Sequence, residues 1–170
     1  MSDPTDPGPD RRRFLCQLAG SGCAVLLAQC TFSEVYTEAG SASLPFDVAD
    51  PTYAALAEIG GTLGIDVTTD ADPAKVLLIR RTAEQIVALE RICPHTLCDM
   101  DPAGGLGVWD QAEDQLVCLC HLSTFAPDGR KLSGPSPRSI AAYAVSFDAT
   151  TGTGTLTIGE PAAGDGGVDG

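Results

Sequence analysis

Histidine is almost missing from this chain, with only His95 and His121 among 170 residues. Any chemistry that needs a third imidazole is excluded. Basic residues are scarce as well: ten Lys and Arg face 23 Asp and Glu, giving a net charge of −13 and a pI near 4.2. Such a surface is unsuited to phosphate backbones, which argues against nucleic-acid binding. It fits plain solubility equally well with the steering of a basic protein partner. Long apolar runs are also lacking. The stretch Phe14 to Cys30 spans 17 residues broken by Gly20 and Gly22, at the lower limit for crossing a bilayer. No internal repeat is present, which excludes a solenoid.

Set against these absences, both histidines sit beside cysteines. One cluster reads Cys93-Pro94-His95-Thr96-Leu97-Cys98 and the other Cys118-Leu119-Cys120-His121-Leu122-Ser123. A Cys-x-His and a Cys-x-x-His together offer two thiolates and two imidazoles, the four ligands that a [2Fe–2S] centre of mixed ligation requires. The set is Cys93, His95, Cys118 and His121, with Cys98 and Cys120 left over, one in each segment. Structural zinc sites space their ligands as C-x2-4-C with H-x3-5-H, whereas each cluster here mixes the two types. A four-cysteine cluster would leave both histidines unexplained. A catalytic Cys–His pair would strand three clustered cysteines.

From about residue 53 to 158 the chain resembles the Rieske iron–sulfur family, in its high-potential branch. That branch carries C-x-H-x-G-C, then C-P-C-H-x-S, then a G-P-x-P loop, here Gly134-Pro135-Ser136-Pro137. The resemblance implies that Cys93 and Cys118 hold an inner iron and that His95 and His121 hold an outer, exposed one. It also implies a Cys98–Cys120 disulfide, and a hydrogen bond from Ser123 to a bridging sulfide. Phe125 stands where the highest-potential members carry a tyrosine bonded to a ligand sulfur, which implies an intermediate potential. Leu97 and Leu122 stand where glycine is usual, and Leu119 where proline is usual. Thr96 replaces the leucine that helps bc-complex members dock. The stretch Asp99 to Val117 is longer than in most members.

The N-terminal segment Asp10-Arg11-Arg12-Arg13-Phe14-Leu15 fits a twin-arginine export signal. That route moves folded proteins and suits a domain whose cluster is inserted first. Export also favours a lasting disulfide, because such bonds persist in oxidising compartments. Removing residues 1–30 takes away three arginines and three aspartates and leaves the net charge unchanged. Cys16 and Cys23 read as apolar fillers. Cys30 follows Leu27-Ala28-Gln29, similar to a lipoprotein processing box except at Gln29, and is a candidate lipidation site. Ordinary cleavage and an uncleaved anchor, with membrane association through residues 14–30, remain open.

The expected organisation is a signal or anchor over 1–30, a linker over 31–50, one domain over 51–158 and a disordered tail over 159–170. The domain reads as all-β, a small antiparallel sandwich or barrel with both cluster-binding loops at one tip. Hairpins are expected from Lys75–Arg80 with Gln85–Glu90, from Gly107–Trp109 with Gln115–Val117, and from Ala142–Phe147 with Gly154–Ile158. The resemblance implies an exported, periplasmic one-electron carrier or subunit in a quinol- and cytochrome-linked chain, with no substrate site of its own. Its partners would be cytochrome b- or c-type proteins, and quinol only through a partner. The alternative is the small Rieske subunit of a molybdenum oxidoreductase such as arsenite oxidase. An oxygenase catalytic subunit would need a second iron with two further histidines, which the chain does not have.

Overall fold

The computed structural model describes residues 40–161. The arginine motif, Cys30, the 14–30 segment and the end of the expected tail lie outside the described residues. The strands are β1 (Ala42–Asp47), β2 (Thr62–Val67), β3 (Ala74–Arg80), β4 (Ile86–Glu90), β5 (Gly107–Asp110), β6 (Gln115–Cys118), β7 (Ser123–Phe125), β8 (Lys131–Ser133), β9 (Ala142–Asp148) and β10 (Thr153–Pro161). They form a six-stranded sheet in the order β1-β10-β9-β4-β3-β2 and a four-stranded sheet in the order β5-β6-β7-β8. Every pairing is antiparallel. The all-β reading and its three hairpins are what the structure contains.

Strand β3 explains how the layers meet. Val76, Leu77, Leu78 and Ile79 are all fully buried, so the strand shows an unbroken apolar run rather than alternation. Side chains still alternate in direction. Leu77 and Ile79 join Leu89, Trp109, Leu116 and Phe125 in a core cluster between the two sheets. Val76 and Leu78 join Phe46, Leu56, Ala88 and Leu156 in a second cluster on the other face of the large sheet. The first cluster also holds Cys93 and Cys118. Both cysteines of the site are thus seated in the layer that glues the two sheets together.

Two corrections apply to the expected boundaries. The segment 31–50, read as a linker, contains β1, which pairs with β10 from Ala42↔Ile158 to Asp47↔Thr153. Its apolar signal is confined to Leu44 and Phe46, diluted by serine and by Pro45. Proline is tolerated there because β1 is an edge strand. At the other end β10 runs on to Pro161, into the expected tail. The edge strand β2, with Gly64 at its centre, also escaped the sequence reading.

Candidate metal centre

Both histidine-bearing segments hang from strand ends. Strand β4 runs through an isolated Ile92↔Asp99 bridge into the loop Cys93–Cys98. The second loop is the β6–β7 connection, with Cys118 the last residue of β6 and Ser123 the first of β7. The two loops share one backbone device. Leu97 N–H donates to the Cys93 carbonyl at 3.0 Å, and Leu122 N–H donates to the Cys118 carbonyl at 2.9 Å. Both leucines adopt a left-handed conformation, with φ of 58° and 59°. For a residue bearing a Cβ this costs roughly 1–2 kcal/mol, which explains why glycine suits these positions. Their side chains stand 75% and 64% exposed.

The loops set Cys93 beside Cys118 and, separately, His95 beside His121. Cys93 and Cys118 are buried with free thiols. Burial pushes the Cys93 thiol above its ordinary range, opposed by the His95 backbone N–H and the Ser123 hydroxyl at its sulfur. A thiolate at such a position calls for a compensating cation. The His95 and His121 rings meet edge to face, 4.6 Å between centroids and 89° between planes. His95 Nδ1 is buried and has no hydrogen-bond partner, an orphan acceptor suited to a metal. His121 is exposed, with Nδ1 3.4 Å from Thr96 Oγ1.

Cys98 and Cys120 form the expected disulfide, with 6.7 Å between their Cα atoms, tying loop to loop. The sulfurs of Cys98, Cys118 and Cys120 lie within 4.8 Å of one another. Two of the three are oxidised together, so this trio is a disulfide packed against a thiol rather than a ligand set. Ser123 is fully buried, and its Oγ accepts the Ser136 N–H at 3.0 Å. The Gly-Pro-Ser-Pro segment is therefore docked onto loop two. Gly134 permits the approach: its φ is +85°, and a Cβ would collide with the Ser123 backbone. Phe125 is completely buried.

The sequence reading gave no role to Arg91, whose signal was a charged residue in an apolar run just before Cys93. Its side chain is 8% exposed and faces Asp66, Asp99 and Asp101. An open groove of about 760 Å³ lies elsewhere, lined by Phe46, Tyr53, Phe147 and neighbours from β1, β9 and β10, and shares no residue with either loop.

Two buried thiols and two imidazoles suit zinc or an iron–sulfur cluster. A family model, the Rieske [2Fe-2S] domain, matches residues 57–144, more than half of the chain. The chain belongs to the Rieske family. A Rieske domain carries one [2Fe–2S] cluster, and the cysteine and histidine donors gathered here fit it. Among curated proteins, the cytochrome b6-f complex iron-sulfur subunit of Chlorobaculum tepidum is 31% identical over 74 residues, 44% of this chain and 36% of that protein. The chloroplastic b6-f iron-sulfur subunit of Bigelowiella natans is 38% identical over 52 residues, 31% of this chain and 18% of that protein. The matched region is thus about a third or less of the length of these relatives. Of solved structures, apo dicamba monooxygenase aligns with a TM-score of 0.50 at 20% identity, covering 76% of this chain and 37% of that one. That similarity concerns the fold alone.

Proposed function

We propose that this Rieske protein is an exported one-electron carrier, or carrier subunit, in a quinol- and cytochrome-linked chain. Its cluster would be held by Cys93, Cys118, His95 and His121. The observation that carries the reading is a pair of neighbouring buried thiols and a buried, unpartnered His95 Nδ1, all on two loops tied by one disulfide. A bound [2Fe–2S] cluster with two histidine ligands takes up one electron at about −150 to +300 mV. The cysteines lie on the core side and the histidine edge lies toward solvent, with His121 exposed. Leu97, Leu119 and Leu122 surround that edge as exposed, uncharged side chains, a surface through which a redox protein can be met. The curated relatives are subunits of cytochrome b6-f complexes by name, which supports a cytochrome b- or c-type partner. The export signal over 1–30 and an outer-face location rest on the arginine motif together with the disulfide.

Ser123, whose Oγ accepts the Ser136 N–H, would direct its proton toward the Cys93 sulfur. The test is iron and sulfide content with the visible spectrum. The native chain should hold two irons and two sulfides, and His121→Ala should abolish the Rieske spectrum. A His121→Ala protein with an unchanged spectrum would overturn the ligand assignment.

A further inference from the structure

Arg91 lies two residues before Cys93, its side chain buried among carboxylates from β2 and from the chain that follows the first ligand loop. Its Nη2 is 2.8 Å from Asp66 Oδ1 on β2, and its Nε is 2.8 Å from Asp99 Oδ1, the residue that follows Cys98. Nη1 stands 3.8 Å from Asp101 Oδ2. Lys75 on β3 completes the group, 3.6 Å from Asp66 and 3.9 Å from Asp99. The backbone repeats the arrangement: Arg91 N–H donates to the Lys75 carbonyl at 2.9 Å, and the Arg91 carbonyl accepts the Met100 N–H at 2.8 Å. A Cβ on Gly64 would strike the Asp101 and Arg91 side chains, so β2 leaves room for the cluster of charges. The Met100–Arg91 backbone bond and the ion pair to Asp99 tie entry and exit of the Cys93–Cys98 loop together, while Nε itself makes no well-angled hydrogen bond.

A buried cation is costly unless it is paired. Here the guanidinium is 8% exposed, while its partners Asp66, Asp99 and Asp101 are 58%, 37% and 27% exposed. Solvent therefore screens the negative charges more than the positive one. The guanidinium is thus the least solvent-screened charge of the group, within two residues of Cys93.

We infer that Arg91 is a positioning residue for the iron–sulfur centre, which fixes the stem of the first ligand loop and raises the reduction potential by its buried positive charge. This rests on the ligand set proposed above. Adding an electron to the centre makes it more negative, so a nearby cation favours the reduced form. Neutralising Arg91 should lower the potential. Neutralising Asp66, which offsets Arg91 from a strand remote in sequence, should raise it. A loosened loop has no reason to respond with opposite signs.

The experiment is a reductive titration of the full-length, cluster-loaded chain, followed by electron paramagnetic resonance. The variants are Arg91→Gln, Arg91→Lys and Asp66→Asn, with thermal unfolding in parallel. Arg91→Gln should shift the redox equilibrium toward the oxidised form by roughly three- to tenfold, and Asp66→Asn toward the reduced form by less, since solvent weakens its charge. Arg91→Lys should keep most of the native potential. Shifts of the same sign in the glutamine and asparagine variants, or unchanged potentials beside lowered melting temperatures, would reduce Arg91 to a structural clamp. If Arg91→Gln fails to fold, Asp66→Asn decides alone: an upward shift supports the inference, and no shift or a downward one overturns it. If the native chain shows no Rieske signal, the ligand reading has failed first, a separate result visible before any variant is made.

Discussion

At the scale of single residues, the most telling pair is Leu97 and Leu122. Leu97 N–H bonds the Cys93 carbonyl and Leu122 N–H the Cys118 carbonyl, each leucine is in a left-handed conformation, and each is exposed to solvent. Replacing either with glycine should remove the conformational cost, offset by the extra freedom glycine gives the unfolded chain. We expect a net gain of about 0.5–1 kcal/mol in stability, read by denaturant unfolding. A loss of stability would mean the leucines make contacts that outweigh their backbone cost. Phe125 gives a prediction in potential rather than stability. It is completely buried behind loop two. Phe125→Tyr should place a hydroxyl at a ligand sulfur and raise the potential, by up to about tenfold in the redox equilibrium or ~59 mV. An unchanged potential with lowered stability would mean that the hydroxyl is buried without a partner.

At the scale of elements, β3 separates what holds the sheet from what holds the site. Leu77 packs in the cluster that contains Cys93 and Cys118, and Leu78 packs on the opposite face. Truncating either to alanine should cost about 2–5 kcal/mol. Only Leu77→Ala should also hasten cluster loss to an iron chelator at matched temperature; equal rates would show that the inter-sheet core does not support the site. The disulfide joins two loops whose cysteines are 22 residues apart. Cys98→Ser should lower stability by about 3 kcal/mol on the chain-entropy account, leaving some cluster assembly with a lower potential. No change in either quantity would make the bond incidental. Legibility in the sequence followed the same division. Strands β3, β4, β6 and β9 are apolar runs and were read directly. Strands β1 and β2 are edges with one covered face, small residues and a proline or glycine, so their signal was weak. The short β7 and β8 have three residues each, too few to show an alternating pattern in the sequence.

At the scale of the whole molecule, the residues proposed to bind the cluster stand out in the sequence because metal ligation needs particular atoms at particular spacings, and only two histidines are available. The layer that supports them was less so. Ser136 acts through its backbone N–H, which any residue but proline supplies. Arg91 acts through three carboxylates scattered over 35 positions from Asp66 to Asp101, a grouping that only the fold creates. The fold thus places two buried thiols against the inter-sheet core and the histidine edge toward solvent, within a chain of net charge −13. The central claim is that this arrangement carries a one-electron centre of histidine-raised potential. It is tested most directly by a redox titration of the full chain monitored by electron paramagnetic resonance. The account predicts one Rieske-type signal per chain, appearing under mild reduction within about −150 to +300 mV. A signal that appears only under strong reduction, or none at all with zinc in the protein, would contradict it.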